Sequence, residues 1–160
     1  MIEDPPAVRI RAVEARDVEP LAALVREVLA EFGLEFGVGS ATDEDVLRLP
    51  ASYLDHGGAF WIAEDELGLL GSCGIFPLDA ATFELRKMYV QRRGRGRGIG
   101  RRLLERAIEE ARRRGATTIV LDTLHTMEAA IRLYERYGFV RDDAQIRGAR
   151  CTRGYRLDLA

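Results

Sequence analysis

The spacing of hydrophobic positions changes several times along the chain, and each change marks an element. Val8, Ile10 and Val13 fall in a short strand-like segment. Asp17 offers a helix N-cap, and Leu21, Leu24, Val25, Val28, Leu29 and Phe32 then recur at helical spacing. That pattern predicts an amphipathic helix over residues 18–31, broken by Gly33, Gly37 and Gly39. A second, shorter helix is expected over 43–49, ended by Pro50. Residues 59–63 read as a strand and 69–76 as its hairpin partner, with turn residues around 65–68. Residues 83–90 read as a third strand of this central run. The period then returns to that of a helix. Ile99, Leu103, Leu104, Ala107, Ile108 and Ala111 mark a long one, closed by Arg112, Arg113, Arg114 and Gly115. Residues 118–121 form a short β-branched strand, and Thr126 can cap a helix that runs to about Tyr137 and stops at Gly138. Residues 139–141 and 155–159 are expected as final strands.

This order of elements predicts an α/β architecture: one mixed sheet with helices on both faces. The 160 residues fit a single domain over 1–160, and no repeat, low-complexity linker or boundary divides them. Hydrophobic residues at 47% and charged residues at 31% are ordinary for a soluble globular protein. No apolar run approaches the roughly 20 residues of a membrane span. The acidic start, residues 1–6, lacks the basic and apolar stretches of a signal peptide and reads as a short frayed tail on a cytoplasmic protein. Cys73 and Cys151 lie far apart, and the only histidines are His56 and His125. No metal site is expected from that spacing, and the thiols read as buried or half-buried and unpaired.

Charge changes the picture. Residues 1–66 hold fifteen Asp and Glu against five Arg, whereas residues 91–114 hold ten Arg against three Glu. An anionic partner on the basic side is expected. The basic region opens with Val90-Gln91-Arg92-Arg93-Gly94-Arg95-Gly96-Arg97-Gly98-Ile99-Gly100-Arg101, between a strand and an amphipathic helix. Glycines let the backbone turn tightly and approach a ligand closely. The helix N-terminus that follows adds unpaired N–H donors and the positive end of the helix dipole. Arginine side chains add charge-assisted contacts to phosphate oxygens. These features predict a phosphate or pyrophosphate site. A flexible Gly/Arg loop or an RNA-binding segment is the other reading of the composition, although such tracts are repetitive and lack flanking core elements. A dinucleotide-binding crossover needs its glycines after the first strand of a βαβ unit, whereas this strand follows a hairpin. The Gly-Lys-Ser/Thr of a nucleoside triphosphatase is absent.

These residues resemble the GNAT superfamily of N-acetyltransferases. Arg95, Gly98 and Gly100 fit its acyl-CoA signature of Gln or Arg, two residues, Gly, any residue, and Gly or Ala. Glu84-Leu85-Arg86-Lys87-Met88-Tyr89-Val90 resembles the strand before it. Leu121-Asp122-Thr123 and the stretch from Ala130 to Phe139 resemble the later strand, helix and Gly-Phe ending. The resemblance covers about residues 58–141 and implies the acyl-CoA N-acyltransferase fold, a mostly antiparallel sheet of about seven strands. It implies acetyl-CoA as co-substrate and no metal. By it, Arg95, Gly96, Arg97, Gly98, Ile99, Gly100 and Arg101 hold the CoA pyrophosphate through backbone N–H groups. Main-chain groups of Met88 and Val90, flanking Tyr89, pair with the pantetheine arm, and Tyr134 protonates the departing thiolate. Two departures stand out. Met127 occupies the position where relatives often carry an Asn that contacts pantetheine, and Arg92 stands where many carry Pro.

An amine attacks a thioester only as the neutral base, so one group must take its proton and another must supply one to sulfur. Glu84 lies eleven residues before Arg95, the register in which some members of the family carry a catalytic Glu. It is the candidate base, with a structural ion pair to Arg86 as its other reading. His56 and His125 are lesser candidates, and water serves as the base in many relatives. Trp61 and Tyr137 read as core, and Asp122 as an organiser of its turn. Glu31, Glu35, Asp43, Glu44, Asp45 and Asp55 lie in the early segment expected to shape the acceptor side. They would favour a cationic amine such as a polyamine, an aminoglycoside or a protein α-amine; a solvated acidic face explains the same charges. The expected activity is transfer of an acetyl group to a primary amine of a small molecule in a ternary complex, by a monomer or homodimer that binds neither nucleic acid nor membrane. A peptide or protein amine acetyltransferase and a non-catalytic acyl-CoA sensor are the other readings.

Overall fold

The computed structural model describes residues 6–159, so the expected N-terminal tail lies outside the described residues except for Pro6. Strand β1 is Arg9–Ala12, and strand β2, Ala59–Asp65, is buried along nearly its whole length. Ala59, Trp61 and Ala63 face one core while Phe60 and Ile62 face a second. A strand apolar on both faces needs cover on both, and the helices supply it. Helix α1 (Val18–Glu31) and the short α2 (Ala51–Leu54) cover one face, where Leu21, Val25, Leu29 and Tyr53 meet Phe60. Helices α3 (Ile99–Arg113) and α4 (Glu128–Arg136) cover the other. All six of the periodic positions read in α3, from Ile99 to Ala111, are buried.

Strands β3 (Gly68–Pro77), β4 (Thr82–Val90), β5 (Thr118–Thr123), β6 (Val140–Arg141) and β7 (Arg153–Asp158) complete one seven-stranded sheet in the order β1-β2-β3-β4-β5-β7-β6. Every pairing is antiparallel except β4 with β5. The mostly antiparallel sheet covered on both faces is the architecture expected from the sequence. No helix among the described residues is long and apolar enough to cross a membrane.

Local details differ. Residues Asp43–Arg48 form a 3-10 helix rather than an α-helix, and Leu49 is extended, as the residue before a proline is forced to be. Pro50 then starts α2 instead of closing a helix. Asp17 does not cap α1: its carboxylate takes both terminal nitrogens of Arg11 at 2.8 Å and the backbone N–H of Glu14. The bidentate, charge-assisted pair wins over a neutral N–H. Helix α4 starts behind Met127 without a side-chain cap, and Thr126 stays exposed in the turn. Trp61 is core as expected, whereas Tyr137 is only half-buried and donates its hydroxyl to Glu105.

One departure from regular geometry positions everything that follows. Strands β4 and β5 pair only from Thr82–Glu84 to Thr118–Val120 and then separate. At the separation Lys87 has φ +55°, and the register against β3 shifts between Ser72 and Gly74, placing an extra residue in β4. Ser72 donates its hydroxyl to the Lys87 carbonyl at 2.7 Å. The Lys87 side chain turns inward, and its Nζ lies 2.5 Å from Asp43 Oδ1. Arg150 reaches the same carboxylate at 2.7 and 2.9 Å, and Gly37 N–H donates to it at 2.8 Å. Burial alone would raise the Asp43 carboxyl, but Arg150 and Lys87 outweigh it and hold the group well below the usual carboxylate range.

Asp43 is fully buried, so removing it strands two cations in the interior. Asp43→Ala should destabilise the fold by about 3–5 kcal/mol at neutral pH. A carboxyl depressed in the folded state stabilises above its unfolded pKa of about 4, and that contribution is lost as pH falls further. Denaturant unfolding of parent and variant from pH 7 to pH 2 should therefore show their difference shrinking only below about pH 4. A constant difference would remove the carboxylate's charge from the explanation.

Candidate active site

Where β4 and β5 diverge they leave a cavity of about 310 Å³. Its wall includes Glu84 to Tyr89 of β4, Leu121 to Leu124 at the end of β5, Met127, Ala130 and Tyr134 beside α4, and residues of the 39–42 and 147–151 loops. Four residues predicted from the sequence, Glu84, Met88, Tyr89 and Tyr134, thus meet around one space. Val90 and residues 95–101 are outside this wall. They continue from the end of β4 into the turn before α3.

Glu84 is the last β4 residue paired with β5, and its side chain is buried. One carboxylate oxygen lies 2.5 Å from Arg86 Nε, and the other lies 3.5 Å from Arg147 Nη1. The ion pair with Arg86 expected as the other reading is therefore present, and it coexists with the position on the cavity wall. Tyr134 approaches from α4, with its ring 5.7 Å from that of Phe139. Its hydroxyl has no hydrogen-bond partner among the described residues, and burial pushes the phenol well above its ordinary pKa. It therefore keeps its proton at neutral pH. Neither histidine reaches the cavity. His125 is exposed and held at 2.8 Å to Thr152, while His56 is exposed beside Phe76. Asp122 accepts the backbone N–H groups of Arg147 and Gly148 at 2.7 and 2.8 Å and so fixes the far wall. Cys73 is buried and Cys151 half-buried, both unpaired; burial raises the Cys151 thiol to about 12.

The edge of β4 that faces the gap has no strand partner beyond Glu84. Gln91 N–H donates back to Leu70 of β3 at 2.8 Å, and strand alternation turns the main-chain groups of Val90 and Met88 the other way. The Val90 carbonyl there takes Arg95 Nε at 3.2 Å. In the turn, Gly96 and Gly98 have φ of +77° and +73°, values that glycine alone adopts at little cost. Across residues 96–101 no backbone N–H is bonded to another described residue. This is a cradle of free donors at the start of a long helix.

The arginines beside it behave differently from expectation. Arg92 and Arg95 pair with Glu31 of α1 at 2.8 and 2.5 Å. Arg93 and Arg97 pair with the buried Asp65 at the end of β2, at 2.8 and 3.2 Å. Only Arg101 of the five makes no ion pair among the described residues. The sequence reading also missed the Asp43–Lys87–Arg150 cluster and the placement of Arg147. The chain's sole lysine in the middle of a strand was the available signal, since a buried ammonium needs a buried partner. None of the six acidic residues from Glu31 to Asp55 named for the acceptor side lines the cavity.

Residues 23–139 match the Acetyltransferase (GNAT) family. The chain is 34% identical over 138 residues to the uncharacterized N-acetyltransferase YjgM of Escherichia coli K12, covering 84% of this chain and 83% of that protein. It shares its fold with a GNAT-family acetyltransferase from Staphylococcus aureus Mu50 (TM-score 0.88, 23% identity, 96% of this chain and 100% of that one). It also shares its fold with yncA from Salmonella typhimurium, whose structure contains acetyl-CoA (TM-score 0.77, 21% identity, 96% and 95%). The chain belongs to the GNAT family and is an N-acetyltransferase.

At Gly98 an added Cβ would meet only Arg101 Nη2, at 3.9 Å, so a side chain there disturbs the backbone path and whatever approaches it rather than the core. Gly98→Val should weaken CoA binding by at least about 10-fold while the protein remains folded, because a β-branched residue resists φ > 0 and shields the N–H groups. Calorimetric titration of CoA into the folded variant checks this. Parent-like affinity would move the phosphate site elsewhere.

Proposed function

We propose that this chain, as a single acetyltransferase domain, transfers the acetyl group of acetyl-CoA to a primary amine of a small molecule by direct attack in a ternary complex. The observation that carries the reading is that one cavity, beside the open edge of β4, gathers a buried carboxylate and a protonated, partnerless tyrosine hydroxyl. The free N–H groups of residues 96–101 suit a pyrophosphate, and the edge of β4 at Met88 and Val90, beyond its pairing with β5, suits an amide-bearing arm laid alongside as an extra strand once Arg95 releases the Val90 carbonyl. The acetyl-CoA held by yncA, a protein of the same fold, supports the same choice of donor.

Acetyl-CoA supplies the activated acyl group. The chain supplies position and proton transfer. Glu84, directly or through one water, takes the proton that the amine loses as its nitrogen bonds to the acetyl carbon. Tyr134 gives its proton to sulfur as the carbon–sulfur bond breaks, and desolvation around it makes a thiolate there expensive unless it is protonated. Release of free thiol from acetyl-CoA across a broad panel of amines is the direct test of the activity.

Two variants test the roles. Tyr134→Phe removes one hydroxyl and leaves the ring against Phe139, so folding and acetyl-CoA binding should survive while turnover drops roughly 10²-fold or more. A loss of only a few-fold would free Tyr134 of the acid role. Glu84→Gln should lose most activity at low pH, where neutral amine is scarce, and recover part of it as pH rises and solution supplies the neutral nucleophile. A uniform loss at every pH together with a lowered melting temperature would instead mark Glu84 as a structural anchor for Arg86 and Arg147.

A further inference from the structure

The cavity wall carries more positive charge than proton transfer requires. Arg86, Lys87, Arg147 and Arg150 line it, against the carboxylates Glu84 and Asp122. Lys87 and Arg150 are spoken for by Asp43 beneath the wall. Arg86 and Arg147 share the single carboxylate of Glu84 and keep nitrogens with no partner among the described residues. Arg86 uses Nε on Glu84 at 2.5 Å and lies over the Phe76 ring at 4.1 Å, and neither of its terminal nitrogens is hydrogen-bonded among the described residues. Arg147 uses only Nη1, in three long contacts: Glu84 Oε2 at 3.5 Å, Gln145 O at 3.3 Å and Gln145 Oε1 at 3.4 Å. Its Nε and Nη2 have no partner among the described residues, and its side chain is 46% exposed. These two nitrogens form one edge of the guanidinium, the pair of parallel N–H groups that fits a carboxylate bidentately. The residue is not loosely placed, because Asp122 fixes its backbone N–H at 2.7 Å.

From this we infer that the acceptor is an α-amino acid, its carboxylate held by Arg147 with Arg86 alongside and its amine turned towards Glu84. The inference rests on the acetyl-transfer reading above and adds the substrate class. Glu84 Oε2 and Arg147 Nη1 lie 3.5 Å apart, so an acid and a cation are presented side by side on the wall. An α-amino acid carries its amine and carboxylate on one carbon and matches that pair in reverse. A polyamine would instead bring a second cation against two guanidiniums, which repel it.

Thiol release is measured for a panel of amino acids, each paired with its α-amide and with the amine left after removal of the carboxylate. The amide's amine is less basic, so more of it is neutral at a given pH and the intrinsic chemistry favours the amide. A preference for the acid must therefore come from the site. Within the best pairs the parent should prefer the acid by at least about 10-fold in kcat/KM, the size of a charge-assisted contact. Arg147→Gln should bring the ratio of acid to amide within a few-fold of one, mainly through KM for the acid. Should that variant fail to fold, the parent's ratios still decide the question. Amides or simple amines used as well as acids by the parent, or an acid preference kept by folded Arg147→Gln, would overturn the inference and leave acetyl transfer standing. If acetyl-CoA binds but no amine in the panel releases thiol, both readings fall together.

Discussion

The parting of β4 from β5 beyond Glu84 is the constraint on which the rest of this molecule depends. Two parallel strands that stayed paired to their ends would leave neither a cavity nor an open edge. They part because β4 carries an extra residue against β3, with Lys87 in a left-handed conformation that a side-chain-bearing residue adopts only under compulsion. The compulsion is visible. Ser72 holds the Lys87 carbonyl from one side, and Asp43 holds its ammonium from the other. Burying such a charge cluster is no route to stability, since an apolar set of the same volume often does as well. Its value lies in geometry, because one carboxylate ties the 37–43 segment, the kink in β4 and the Arg150 loop to a common point.

A second set of ion pairs shapes the turn before α3. Glu31 reaches it from the end of α1 and Asp65 from the end of β2, each holding two arginines. The arginines are therefore partly neutralised before any anion arrives, and the backbone donors of residues 96–101 are the groups left unsatisfied. An anion bound mainly by main-chain N–H groups is read by the shape of the turn as much as by charge. That explains why glycine at positions 96 and 98, with φ beyond +70°, carries more information than the number of arginines around it.

Much of this was legible in the chain, and the physical reason is locality. The spacing of Ile99, Leu103, Leu104, Ala107, Ile108 and Ala111 reports a helix face directly, and the glycines between Arg95 and Arg101 report a tight turn directly. What escaped was set by partners distant in sequence. Asp43 looked like one more charge on an acidic face, yet it is fully buried against residues 44 and 107 positions away. Asp17 carried the pattern of a cap but was taken by Arg11 of the neighbouring strand. Arg147 sits in a segment with no periodicity at all, and only the fold brings it back to Glu84. Local patterns therefore revealed the elements and the glycine turn before α3, while the polar half of the cavity depended on long-range charge pairing that no spacing rule encodes.

The two groups proposed for proton transfer stand in contrasting surroundings, and the contrast has a consequence for direction. Tyr134 packs into the core, and burial, helped by Cys73 and Tyr89 nearby, keeps its proton on and penalises any anion formed beside it. Glu84 is buried too, but two guanidiniums replace the water it has lost. One side of the cavity therefore resists negative charge and the other accommodates it. On the proposed roles, with the amine beside Glu84 and the sulfur beside Tyr134, the proton transfers work against that gradient: Glu84 gives up a charge its guanidiniums stabilise, Tyr134 takes on one its surroundings penalise, and the phenolate must regain a proton before the next turnover. The asymmetry of the walls sets Glu84 and its two guanidiniums, Arg147 among them, apart from the enclosed hydroxyl of Tyr134, and the proposed proton transfers need both environments at once.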